Sequence, residues 1–116
     1  MTFVLLIYRS SAGAAAPPAA QAALAGHRAL QVESAGRGEL HAVAQLGEVR
    51  TATSVTHRDG VHDVTDGPYI ETKEWLVGFY LVDCDSESTA IERAKQLCPD
   101  DSHAIEVRPV TWRWRG

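Results

Sequence analysis

The chain has 116 residues, enough for one domain with a single core. Its apolar content of 45% and charged content of 22% are those of a folded globular protein and exclude wholesale disorder. A net charge of −4 lacks the basic footprint that nucleic-acid binding normally needs, so no nucleic-acid partner is expected.

Phe3-Val4-Leu5-Leu6-Ile7-Tyr8 is apolar on both faces, the pattern of an interior strand covered on both sides. No Lys or Arg precedes this run and Arg9 ends it, so it predicts a strand and not a secretory leader, despite the small residues Ala12–Ala16. No segment approaches membrane-spanning length, and no membrane partner is expected. Ser10–Ala16 reads as a small-residue loop. Pro17-Pro18 then suits a helix opening, where a missing N–H is no loss.

The helix is expected over Pro18–Ala35, closed by Gly36-Arg37-Gly38. Helical spacing puts Ala20, Ala23, Leu24, Leu30 and Ser34 on one face, with His27 in its middle. His27 should look toward a sheet, as a hydrogen-bonded core residue or as an acid/base group. Glu39–Leu46 alternates, with Leu40, Ala42, Ala44 and Leu46 on one side and His41 on the polar side, exposed. That is a half-exposed strand at a sheet edge.

Thr53–Arg58 and Val61–Asp66 flank Asp59-Gly60, a two-residue hairpin signal. That loop pairs Arg58 with Val61, His57 with His62, Thr56 with Asp63, Val55 with Val64, Ser54 with Thr65 and Thr53 with Asp66. Asp66 then lies on the side of Val55 and Val64, which is expected to face inward. His57 and His62 meet near the turn, about 14 Å from Asp66. Two ligands are too few for a closed zinc site, so no functional metal is expected there.

Asp66-Gly67-Pro68 is a turn cluster, and Asp66 to Glu74 concentrates three carboxylates (Asp66, Glu71, Glu74), the Lys73 ammonium and the Tyr69 phenol. Polar groups held at a strand mouth by a rigid turn suit a site; a solvated, salt-bridged connection is the plainer alternative. Trp75–Val82 is a second two-faced apolar strand, and Gly78 within it costs stability unless another backbone comes close. Asp85 or Ser86 should cap a helix with a core stripe of Ala90, Ile91, Ala94, Leu97 and Cys98, ended by Pro99. A last strand follows over His103–Val110. Residues 1–110 then form the domain and 111–116 a tail carrying Trp112 and Trp114. Cys84 and Cys98 have no CxxC spacing and read as free thiols in a reducing cytoplasm.

Asp66-Gly67-Pro68-Tyr69 followed by Glu71-Thr72-Lys73-Glu74 resembles the signature of the DGPF-domain, YCII-related family, with Tyr in place of the usual Phe. The opening strand, Gly78-Phe79-Tyr80-Leu81 and Glu106-Val107-Arg108-Pro109-Val110 fit the same pattern. The element order β-α-β, hairpin, β-α-β independently matches an α+β, ferredoxin-like sheet with both helices on one face. The other face is apolar and needs cover, for which a second copy is the simplest candidate. The resemblance likewise implies a dimeric α/β barrel.

Two functional expectations follow. One is a homodimer that binds a small organic molecule and supports cofactor-independent acid/base chemistry, an isomerisation or elimination. Asp66 and His27 would be its proton-transfer groups, and Tyr69, Glu71, Lys73, Glu74 and Arg108 would hold the substrate. No metal motif or phosphate-cradling loop is present, so no cofactor is implied. The other is a non-catalytic regulatory or protein-interaction module linked to transcription initiation, which the resemblance also allows.

Overall fold

The computed structural model describes residues 1–10, 17–70 and 74–116, with 17–23 described in backbone only. Eight elements carry the fold. These are β1 (Thr2–Ser10), α1 (Pro17–Gly36), β2 (Leu40–Gln45), β3 (Thr53–Arg58), β4 (Val61–Asp66), β5 (Glu74–Asp83), α2 (Glu87–Gln96) and β6 (His103–Pro109). A four-stranded sheet runs β2-β5-β1-β6, every neighbour antiparallel, and β3-β4 form a separate two-stranded ribbon. Without the ribbon this is the α+β, ferredoxin-like order, with the two continuously apolar strands in the middle. The expected loop at 11–16 lies outside the described residues.

One side of the sheet is closed. Phe3, Leu5 and Ile7 of β1 and Tyr80 and Val82 of β5 pack with Leu30 of α1, Ala90 and Ala94 of α2 and Leu97 at the C-cap of α2 in one buried cluster. Each helix is set by its ends. Gly38 at φ +68 lets Glu39 N–H reach Ser34 C=O at 2.9 Å and Gly38 N–H reach Ala35 C=O at 3.0 Å, closing α1. Ser86 is the residue that caps α2, its Oγ accepting from Thr89 N–H. The helices touch where α1 carries Gly26: a Cβ there would stand 2.2 Å from Gln96 C=O.

The buried stripes are narrower than the sequence suggests. Leu24, Ile91 and Cys98 are exposed, and Ala20 and Ala23 fall where only the backbone is described. Cys84 is buried, and both cysteines are free.

Among the described residues, no helix covers the other side of the sheet. Val4, Leu6 and Tyr8 occupy it, opposite Leu81, Phe79 and Leu76 of β5, and all but Leu76 are half-buried in the single chain. Two irregularities shape it. Between Ile7–Gly78 and Tyr8–Leu76 the ladder skips Val77, which bulges from β5. In β2 the register skips His41, so Leu40 pairs with Val82 while Ala42 and Ala44 pair with Leu81 and Phe79. Cross-strand partners share a face, so Leu40 lies on the helix side and the two alanines on the open side. The expected single face of Leu40, Ala42 and Ala44 is therefore broken by one bulge. Gly78 is explained: a Cβ on it would meet Ala44 C=O at 2.6 Å.

The ribbon keeps all six expected pairs, with Asp59 and Gly60 at φ 53 and 79. His57 and His62 pack edge to face at 5.1 Å between centroids. Its position differs from expectation. The ribbon stands off the main sheet, every β4 residue is exposed, and Asp66 therefore has no inward face to lie on.

Candidate functional site: a cavity beside the signature turn

The turn after β4 is held by its backbone. Gly67, at φ +108, donates its N–H to Ala52 C=O at 2.8 Å, and Ser54 Oγ donates to Gly67 C=O at 2.6 Å. These bonds tie the turn to the start of β3. Asp66 takes no part in them, and among the described residues its carboxylate has no hydrogen-bond or ion-pair partner. Pro68, Tyr69 and Ile70 are thereby placed against the loop from Leu46 to Ala52, where a short 3-10 turn (Val49–Thr51) is fastened by Thr51 N–H to Glu48 C=O at 2.8 Å. The sequence reading did not anticipate that turn.

Between these two loops and the end of the sheet lies a cavity of about 620 Å³. The sheet supplies Tyr8, Trp75 and Leu76; the loops supply Leu46, Val49 and Ile70. Glu48, Tyr69 and Glu74 add polar groups to a largely apolar wall. This size and lining suit a small organic molecule, for which pockets of roughly 300–1,000 Å³ are usual.

The expected site residues separate into groups. Tyr69 and Glu74 line the cavity. Glu71 and Lys73 lie outside the described residues. Asp66 is exposed, two residues before Pro68, and is not part of the wall. Arg108 is exposed, 3.9 Å from Glu106, and pairs with Val4. Val4 and Tyr8 are about 13 Å apart along β1 at ordinary strand rise, so Arg108 stands toward the other end of the open face.

His27 is on the opposite side of the sheet. Its Nδ1 meets Tyr80 Oη at 2.8 Å, and Gln31 Nε2 donates to the same oxygen at 2.9 Å. Tyr80 Oη accepts from Gln31, and its own proton is available to His27 Nδ1 when the imidazole is neutral. Burial pushes the His27 pKa below the usual histidine value, with a further push from the His103 ring. Burial raises the Tyr80 pKa, partly offset by the Gln31 bond. His27 is thus a hydrogen-bonded residue of the helix side, stacked on Tyr80 at 5.7 Å.

Two further clusters escaped the sequence reading. At the β1 start, Thr2 Oγ1 donates to Asp83 Oδ1 at 2.6 Å and His41 Nε2 donates to Asp83 Oδ2 at 2.8 Å. These two bonds, the hydroxyl first, lower the Asp83 pKa. His41 is exposed, as expected, and its place in the bulge brings its ring onto Asp83 of β5. Arg113 of the tail stands 3.4 Å from the same ring nitrogen, a neighbour and not a bond, since that nitrogen carries its proton toward Asp83. At the β6 start, Asp100 takes bonds from Ser102 and His103, which hold its pKa down at about 2.

The YCII-related domain matches residues 1–115 of the sequence. The chain belongs to the YCII-related family. A relative from Rhizobium meliloti (strain 1021), named only as an uncharacterized protein, is 39% identical over 84 residues, 71% of this chain and 68% of the relative. Within the matched residues, Pro68, Tyr69 and Ile70 form part of the cavity wall. Among the described residues no helix is long and apolar enough to cross a membrane.

Proposed function

We propose that the chain binds a small organic molecule in the cavity beside the signature turn and works as a homodimer of the α/β-barrel type. The observation that carries the binding reading is the convergence of the Pro68–Ile70 segment with Tyr8, Trp75 and Leu76 around an apolar space of about 620 Å³. The half-buried, helix-free row of Val4, Leu6, Phe79 and Leu81 supports the dimer, since a second copy would cover it. Tyr69 and Glu74 are the described contacts for the ligand, with Glu71 and Lys73 next to them in sequence. Cofactor-independent proton transfer, as in an isomerisation or elimination, is the chemistry such a site supports. Asp66 stands as its proton-transfer group only if the second copy or a bound ligand brings it to the cavity, which it does not line in one chain; His27, bonded to Tyr80 on the helix side of the sheet, is set apart from it.

A panel of small aromatic and keto acids, scored by thermal shift, tests the binding. A ligand raises the melting temperature in proportion to ln(1 + [L]/Kd), and no response across the panel removes the small-molecule reading. Sedimentation at micromolar concentration tests the dimer, and a monomer there removes it. The alternative, a protein-interaction module linked to transcription initiation, is favoured by the exposed Trp112 and Trp114. It gains ground if the panel fails while the dimer stands.

A further inference from the structure

We infer that the ligand carries a carboxylate, and that Arg9 receives it in a side chamber next to the main cavity. The inference rests on the small-molecule reading above and adds the chemical class of the ligand. A second space of about 340 Å³ adjoins the first, with Glu48, Val49 and Trp75 in the wall of both. Arg9, Ser10 and Arg50 line its far side. A molecule that fills both spaces places an apolar body against Tyr8, Ile70 and Leu76 and its other end beside Arg9.

Arg9, Arg93 and Arg113 each have an Nε buried without a hydrogen bond, and Arg9 is the one of the three that lines this chamber. Arg93 also has Glu39 at 4.0 Å. Arg9 Nε has no hydrogen-bond partner, and the residue makes no ion pair among the described residues. Its flanking strand partners do not satisfy it: Trp75 offers no acceptor, and His103 is engaged with Asp100 at 2.8 Å. Arg50 is already held by Glu48 at 2.6 Å, so those two charges cancel and the chamber keeps one net positive charge, that of Arg9. This stands out in a chain of net charge −4.

A buried guanidinium donor without an acceptor is costly, and a carboxylate is the group whose two oxygens match the guanidinium fork. The apolar main chamber requires that the rest of the ligand be hydrophobic. The class is therefore a small hydrophobic carboxylic acid in its ionised form.

The test uses matched pairs: benzoate with benzamide, phenylacetate with phenylacetamide, cyclohexanecarboxylate with its amide. Each is titrated calorimetrically into the full chain. At least one acid should bind 10-fold or more tighter than its amide, and Arg9→Gln should erase that preference while leaving the amide affinity within about 2-fold. Arg9→Lys should keep part of the preference, having the charge without the fork. Arg50→Gln, at an exposed ion pair, should leave the preference in place. Acid and amide binding equally would overturn the carboxylate assignment and leave the cavity reading standing. Selectivity that persists in folded Arg9→Gln would overturn the role of Arg9, and no binding by any pair would overturn both readings. The acid–amide comparison needs only the unaltered chain, so a variant that fails to fold does not block it.

Discussion

The two faces of the sheet are built from the same strands and the same residue types, yet they end differently. On one face Phe3, Leu5, Tyr80 and Val82 are almost wholly buried under two helices. On the other, Val4, Leu6, Phe79 and Leu81 alternate with them and remain half-buried. Polar groups follow the division. The helix side holds a closed set, His27 with Tyr80 and Gln31, that completes itself within one chain. The open side holds the cavity and its rim of carboxylates at one end and the Thr2–Asp83–His41 network at the other. A face that satisfies itself is suited to stability. A face left open leaves room for the second copy and the ligand proposed above.

The largest effect should come from the closed face. Leu5→Ala removes a side chain with no exposed surface and should cost about 2–5 kcal/mol, read by denaturant unfolding at any protein concentration. Leu6→Ala, one residue on, tests whether the open face is covered in solution. With a second copy in place its cost should grow as protein concentration rises; a small cost at every concentration would mean that the face stays open. Phe79→Asp sharpens the point: it should convert a dimer to monomer in sedimentation or abolish folding, since a charge cannot be buried there unpaired. A folded dimer carrying that aspartate would place the interface elsewhere.

A smaller effect distinguishes the polar set on the closed face. Tyr80→Phe leaves His27 Nδ1 and Gln31 Nε2 without their common partner and should cost about 1–3 kcal/mol. The His27 pKa is lowered in the folded state, so the unfolded chain takes up the proton first as pH falls. Stability from this residue is therefore fully present above the ordinary histidine value of 6.5, declines as pH drops through it, and levels off below the folded value. Melting temperature measured from pH 8 to 5 checks this, with His27→Gln expected to flatten that part of the curve.

How much was readable in the sequence follows from which contacts are local. Asp59-Gly60 dictates a turn with two left-handed residues, so all six ribbon pairs could be counted outward from it. The two interior strands were legible from their continuous apolar runs, and the turn at Asp66-Gly67-Pro68 from its rigidity. The orientation of β2 was not, because a single bulge at His41 reverses the faces on either side and no local residue signals it. The same bulge hid the His41–Asp83 pair. Arg9 was read only as the residue ending a strand, since its setting depends on β5, β6 and the loop from Leu46 to Ala52 coming together. The burial expected of Asp66 failed for a related reason: alternation gives a strand two sides, but not a layer to cover either one.

The smallest expected effect falls on that residue and bears on the cavity. Asp66 is exposed and, among the described residues, unbonded, while the turn after it is fixed by Gly67 N–H to Ala52 and by Ser54 Oγ to Gly67. A capping role would have required its carboxylate to accept one of these backbone donors. Asp66→Asn should therefore shift stability by no more than about 0.5 kcal/mol, as at other free surface positions. Ser54→Ala, by contrast, removes a bond that holds the turn and should cost about 1 kcal/mol. The two variants separate the roles the turn can play. If Asp66→Asn keeps both its melting temperature and its response to ligand, the proton-transfer assignment of Asp66 falls and the cavity depends on the backbone of the turn alone. If stability holds while ligand response or turnover disappears, the carboxylate acts at the open face after all, and the second copy is what carries it to the cavity.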